Sequence, residues 1–392
     1  MSAIPQDFDP DLPEDFDSAH ATFERLRREC PVAHTDAMGA FWALTRYDDV
    51  RRTASDAAMF VTSVQNVIPK VAFTGRRPPL HLDPPEHTPY RRTINPLLSP
   101  ERVARFEPYA RDCARRLLAP LVAAGGGDIC ADFASHLPVW VFGEWMNVPD
   151  NWIEPLHSAG RAFILAVNLN QADEMKRTSL KLYDMARDLI FLRRQEPRDP
   201  DEDVTSSLLA ARYQGEPLPD DLIVGMVRQV LVVGIVAPTV LLGSIAVHLS
   251  RDKALQDKLR ADLSLVPAAV EEFLRLYTPY RGFARTAVEE VEIGGRTIPP
   301  GEGIALVYAS ANRDEAVFER PFEFILDRPN IADHLAFGRG PHNCPGIHLG
   351  RMEMQVMVEE LLAATRSFEL AGPIAPARWP EIGAISVPLR FG

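Results

Sequence analysis

Between Asp220 and Ser250 the chain carries its longest apolar periodic run, from Leu222, Ile223, Met226 and Val227 to Ile245, Val247 and Leu249. As one helix of about 30 residues it would span on the order of 45 Å, the width of a whole domain. Arg228, Gln229, Gly234 and Pro238 interrupt the run. They argue against a membrane span and for a helix buried through the middle of a folded domain. Pro238 has no N–H for its i−4 bond, and Gly234 already weakens the helix there, so a kink is expected. Everything else must pack around this rod.

Composition narrows the setting. A net charge of −12 and a pI near 5.4 argue against nucleic acid as the main partner. Residues 1–15 read as a Pro- and Asp-rich arm with no charged-then-apolar leader. Four cysteines (Cys30, Cys113, Cys130, Cys344) in 392 residues make no disulfide framework and no paired zinc motif. A soluble, monomeric, cytoplasmic protein without a membrane anchor is the expectation.

Along the chain, helices are predicted over His20–Arg28, Glu101–Ala123, Asp128–Trp145, Asn151–Phe191 and Val266–Tyr277, with a strand over Phe41–Tyr47 and a hairpin over Val291–Ile298. The fold class is therefore mainly α with small β-sheets. No repeat or low-complexity linker divides it, so one domain over 1–392 is expected. Met59–Leu80 keeps apolar residues (Val61, Val64, Val67, Phe73) but loses periodicity, as loops over ligand sites do. Behind it, Thr88 can cap a helix running past Leu98, with Pro89 in its first turn. His87 and Arg91, four apart, can face one anion. The charge run Arg193–Asp203 reads as a solvated connection. Glu272 and Arg275, at i and i+3 in an apolar helix, suit a buried bidentate pair.

Near the C-terminus, Phe337-Gly338-Arg339-Gly340-Pro341-His342-Asn343-Cys344-Pro345-Gly346-Ile347-His348-Leu349-Gly350-Arg351 sets one cysteine among glycines and prolines, directly before a helical pattern. A helix N-terminus carries unpaired N–H groups and partial positive charge, which stabilise a thiolate. Haem iron takes such a sulfur as its axial ligand.

This stretch resembles the haem-binding signature F-G-x-G-x-[HR]-x-C-x-G-x-x-[LI]-[AG]-R of the cytochrome P-450 family, and every specified position is met. The family's E-x-x-R is met by Glu272 and Arg275, its P-x-x-F-x-x-x-R by Pro321, Phe324 and Arg328, and the H-x-x-x-R behind a D-P-P turn by Asp83, His87 and Arg91. The resemblance, closest to the soluble bacterial members, implies haem b between the long central helix and the cysteine loop, with Cys344 as the iron ligand. Phe337 and Gly346 belong to the haem-binding loop. His87, Arg91, Arg285 and His342 would hold the propionates, Arg281 being a nearby competitor to Arg285. Glu272, Arg275 and Arg328 would form a structural ion network. The implied reaction is monooxygenation (hydroxylation or O-dealkylation), with electrons from a separate ferredoxin and ferredoxin reductase. Arg102, Arg105, Arg111, Arg115 and Arg339 form a candidate docking patch.

One part of the pattern departs. The family's central helix usually reads [AG]-G-x-[DE]-T, an acid and an alcohol that relay protons. Here Val233-Gly234-Ile235-Val236-Ala237-Pro238-Thr239 puts Val236 and Ala237 in their places. Gly234, Ala237, Pro238 and Thr239 are the remaining candidates at the reacting face. Protons relayed by water or substrate, hydrogen peroxide as oxidant, and an oxidative coupling or demethylation less dependent on the relay are the readings this leaves, beside a haem-bearing recruitment or sensor protein without turnover. A small to medium hydrophobic or aromatic substrate would meet Val61, Val64, Val67, Phe73, Phe163, Ile164, Val167, Val233, Ala237, Tyr280, Phe283 and Ile385, with Tyr280, Arg281 and Asn66 orienting a polar group.

Overall fold

The computed structural model describes residues 6–10, 15–70 and 74–392, so Phe73 lies outside the described residues. Its first quarter mixes helices and strands: α1 (Ser18–Glu29), β1 (Val32–Thr35), β2 (Phe41–Leu44), α2 (Tyr47–Ser55) and β3 (Phe60–Val61). A helical body follows, with α3 (Thr88–Ile94), α4 (Pro100–Ala104), α5 (Glu107–Ala124), the short β4 (Gly126–Asp128), α6 (Leu137–Trp145), α7 (Ile153–Asn168), α8 (Ala172–Gln195) and α9 (Val204–Ala210). Beyond the hairpin β5 (Arg212–Tyr213) and β6 (Glu216–Pro217) come α10 (Asp220–Val233), α11 (Val236–Arg251), α12 (Lys253–Ala261) and α13 (Val266–Leu276). The last part holds β7 (Phe283–Ala287), β8 (Val291–Ile293), β9 (Arg296–Ile298), β10 (Gly303–Leu306), α14 (Tyr308–Ala311), α15 (Ile347–Ala364), β11 (Phe368–Leu370), β12 (Ala375–Pro376), β13 (Ala384–Ser386) and β14 (Pro388–Phe391). The fold is mainly helical with small sheets, as predicted.

The largest sheet has the order β1-β2-β10-β7-β3, with β10 parallel to β2 and the other pairs antiparallel. Its centre is apolar on both faces, since Phe41–Leu44 and Gly303–Leu306 are buried throughout. The β8–β9 hairpin turns through Gly294 and Gly295, both at positive φ (57° and 77°), which the tight turn requires. The main core joins α5, α11, α13 and α15, where Cys113, Ala246, Phe273 and Met357 are fully buried.

Several predicted boundaries move, each for a local reason. The strand at Phe41 ends at Leu44, because Tyr47 opens α2 with Asp48 and Asp49 in its first turn. Thr88 makes no capping hydrogen bond; Pro96 stops α3 at Ile94 and leaves a 3₁₀ turn over Pro96–Leu98. The segment 101–123 breaks at Arg105–Phe106, and Pro108 sits in the first turn of α5. Asp128 belongs to β4, and a π-turn, Cys130–Ala134, precedes α6. The segment 151–191 breaks where Asn170 takes φ 51°. The Arg193–Asp203 run is exposed over residues 194–202, as expected of a solvated connection, but its two ends are not. Arg193 and Asp203 are buried, joined Nε to Oδ2 at 2.9 Å, and Arg193 also donates to the Asn147 carbonyl at 2.6 Å.

The organising rod is two helices in line. α10 stops at Val233 and α11 restarts at Val236. The break centres on Gly234, where a Cβ would stand 2.1 Å from the Phe142 ring, so an α6 side chain fills the notch. Pro238 falls in the first turn of α11, where its missing N–H costs nothing.

Candidate active site

The Phe337–Arg351 loop is held from three sides. Cys344 N–H donates to the Phe337 carbonyl at 2.8 Å, and Gly338 and Gly340 take positive φ (71° and 74°). A Cβ on Gly340 would stand 2.5 Å from the Ala54 carbonyl, so the loop lies directly on the end of α2. Arg91 grips it through Asn343, with Nη1 on the carbonyl at 2.6 Å and Nη2 on Oδ1 at 2.9 Å. Gly346 caps α15, two residues after Cys344. Cys344 is half-buried as a residue, with dense protein around its sulfur. Burial pushes its thiol up, against the pull of the Gly346 N–H and of Arg91.

Cationic and imidazole groups gather beside this sulfur. The His87 and His342 rings lie 5.0 Å apart. Arg285, on β7 opposite Ile304, is 5% exposed and close to both His342 and the Tyr308 hydroxyl. The acid among them is Asp83, 3.6 Å from His342 Nε2. Burial raises the Asp83 carboxyl, but His342, Ser63 and Thr62 outweigh it and hold the group well below the usual range. Arg285 Nε and His342 Nδ1 are buried without a protein acceptor. Unpartnered polar nitrogens beside a cysteine sulfur suit a flat group with two carboxylates, and haem fits this set.

Behind the loop, the predicted pair becomes a closed cluster. Arg275 reaches Glu272 by Nε at 2.9 Å and Nη2 at 2.7 Å; Arg328 reaches the same carboxylate at 2.9–3.1 Å. Ile325 N–H adds a further bond to Glu272 at 3.1 Å. Spare guanidinium protons go to the carbonyls of Asn312, Pro321, Glu319 and Glu323. A second acid escaped the sequence reading: Glu271 takes Arg351 at 2.6 and 2.8 Å and His334 at 3.1 Å. Burial opposes its ionisation, yet these partners bring it down to about 2. Its signal was the arginine that closes the cysteine signature.

The predicted reacting face lies at the α10–α11 break. Val233 is 46% exposed although its neighbour Val232 is 6%, so this side of the rod is open. The Thr239 hydroxyl lies 2.8 Å from the Ile235 carbonyl and 3.2 Å from that of Ala134, occupied inside the protein. Phe163 and Val167 are buried on α7, Ile164 is partly so, and Val64 is 49% exposed. Val67 bridges to Phe283, whose ring lies 4.4 Å from that of Tyr280. Arg281 turns away, donating Nε to the Glu381 carbonyl and lying 5.2 Å over Trp379. Ile385 is 41% exposed, whereas its neighbour Ala384 is fully buried against Gly243 on α11. The terminal residue that meets Tyr280 is Glu381, in a β-bridge, with its carboxylate on Asn168 Nδ2 at 2.7 Å. Burial raises the Glu381 carboxyl to about 7 against that bond.

The expected docking patch is not a set of uncommitted cations. Arg102 and Arg105 share Glu202, Arg111 binds Glu107, Glu359 and Glu360, and Arg115 binds Glu360; Arg339 is exposed.

The chain matches the family model "Cytochrome P450" over residues 164–372. It is 31% identical over 380 residues to cytochrome P450 109 of Bacillus spizizenii, covering 94% of this chain and 89% of that one. With the mycinamicin IV hydroxylase/epoxidase of Micromonospora griseorubida it shares 33% over 360 residues, 89% and 88% of the two chains. The solved structure of cytochrome P450 CYP109Q5 from Chondromyces apiculatus is similar with a TM-score of 0.85, at 30% identity and 95% coverage of both chains. Sulfur loop, donor set and likeness over nearly the full length agree: the chain belongs to the cytochrome P450 family and is a monooxygenase carrying haem b.

Proposed function

We propose that Cys344 is the iron ligand, that His87, Arg285 and His342 hold the haem propionates with Arg91 bracing the loop, and that the chain hydroxylates or O-dealkylates a hydrophobic substrate with electrons from a separate ferredoxin and its reductase. The observation that carries this is a half-buried cysteine in the signature loop near the buried Arg285 Nε and His342 Nδ1, neither of which has a hydrogen-bond partner among the described residues. Haem supplies oxygen activation when bound. The protein supplies position and exclusion of water: Phe163, Tyr280 and Phe283 wall the substrate side, and the Glu272 cluster fixes the loop from behind. At the α10–α11 break this chain has Val236 and Ala237, which hold no proton, and Thr239, whose hydroxyl is taken by carbonyls. Protons then come from water or from the substrate's own polar group. The same feature favours hydrogen peroxide as a second oxidant, since peroxide arrives already reduced.

The test is Cys344→Ser. The variant is expected to lose the thiolate-type carbon monoxide spectrum of the reduced protein; a retained spectrum sinks the ligand assignment. Peroxide-driven turnover faster than ferredoxin-driven turnover would hand the reaction to the second oxidant.

A further inference from the structure

On the substrate side of α10, two arginines are buried without an acid among the described residues. Arg228 is fully buried and Arg77 is 7% exposed. Arg228 gives Nη2 to Ser179 Oγ at 3.0 Å, while its Nε and Nη1 have no partner. Arg77 gives Nη2 to His81 Nε2 at 3.1 Å, while its Nε has none. Among the described residues no carboxylate offsets either charge; the Tyr183 phenol, which burial keeps protonated, lies beside both. Burial and their mutual repulsion push the Arg228 guanidinium well below its ordinary range, and burial with the two arginines takes His81 down to about 3.

The elements converge by design of the backbone. One turn before Arg228, Gly225 lets the loop lie on the helix: a Cβ there would stand 1.9 Å from the Arg76 carbonyl. The Phe163 ring lies 4.5 Å from the Arg228 guanidinium carbon and the Tyr183 ring 5.8 Å. Ser179 shares a 2.8 Å hydrogen bond with Thr74. The cluster also borders the active site. Arg228 precedes Gly234 by six residues, about 9 Å along the rod. His81 lies 3.1 Å from Asn66 Oδ1, and the Asn66 carbonyl accepts from Ala284 N–H, next to Arg285.

The molecule itself displays what two buried arginines need, since Arg275 and Arg328 share Glu272. We propose that Arg77 and Arg228, with Tyr183 and the Ser179–Thr74 hydroxyls, bind a carboxylate carried by the substrate, so that the enzyme takes an apolar chain or ring ending in that group. This deepens the monooxygenase reading and rests on its placing of the substrate side. A carboxylate brings two oxygens to a donor set spread over two guanidiniums, and the Phe163 face leads its apolar part onward.

The test compares decanoate and 4-ethylbenzoate with their methyl esters, binding to the ferric holoenzyme by equilibrium dialysis and by the haem absorption shift. The acids are expected to bind on the order of a hundredfold tighter than the esters. Arg228→Met and Arg77→Met are each expected to erase most of that preference, leaving ester affinity and the carbon monoxide spectrum unchanged. Equal binding of acid and ester to the wild type, which needs no variant to fold, would overturn the proposal. So would acid preference intact in both variants, or displacement of decanoate by equimolar chloride. Loss of the thiolate spectrum in the wild type would instead sink the Cys344 assignment, while the dialysis comparison still stands.

Discussion

Two pairs of buried arginines differ in how their charge is met. Behind the cysteine loop, Arg275 and Arg328 close on Glu272, and their further guanidinium protons end on carbonyls. On the substrate side, Arg77 and Arg228 have a similar depth and, among the described residues, no acid. Burying charge is costly in both places, but only the first pair carries its own compensation. A satisfied ion cluster locks a loop; an unsatisfied one is complete only when something else brings the charge. Depth alone does not separate structural from binding residues, whereas the count of unspent donors does.

That contrast can be broken experimentally. The largest effect is expected from Glu272→Gln, which strands two buried guanidiniums. It should cost roughly 3–5 kcal/mol in denaturant unfolding and reduce haem retention. A cost below about 1 kcal/mol would place the network outside the folded core's needs.

Glu353, on α15 behind the loop, sharpens the comparison from the acidic side. It is 1% exposed, Oε1 has no partner, and burial raises its carboxyl from 4.5 to about 8. Its folded value lies above its unfolded one. Its contribution is therefore full below pH 4.5 and is lost as pH rises through about 8, a fall of roughly 5 kcal/mol. Glu353→Gln should flatten the stability profile between those pH values. An unchanged profile would mean that the carboxyl finds compensation.

Arg228→Met, without ligand, is expected to stabilise the protein by about 1–3 kcal/mol in thermal or denaturant unfolding, the reverse of Glu272→Gln. Destabilisation would show that Arg228 is compensated in the free enzyme. The smallest effect belongs to Arg111→Gln, in a partly exposed network with three glutamates, at under about 1 kcal/mol. Its informative readout is the rate of electron delivery from an acidic ferredoxin, expected to change little because the charge is already spent locally.

The proximal side was legible because its groups are close in sequence or carried by a compact signature. Glu272 and Arg275 are one turn apart, and the glycines around Cys344 declare a tight loop before a helix. Glu271 was overlooked because its partners, His334 and Arg351, come from separate later segments. Arg193 and Asp203 looked solvated for the same reason, since each is buried by contacts with a distant Asn147. Helix interiors were read well, and boundaries moved wherever a proline or a left-handed residue cut a long apolar pattern.

Local spacing, turn chemistry and the apolar rod were enough to imply a mainly helical chain with a thiolate at a helix start, because those forces act between residues a few positions apart, and the resemblance of the cysteine loop to a family signature implied the haem. Whether Arg77 and Arg228 would be solvated, paired or stranded depended on Gly225 bringing a loop onto α10 and on α7 and α8 closing over it. Desolvation is a property of the packed volume around a charge, and only the tertiary structure creates that volume.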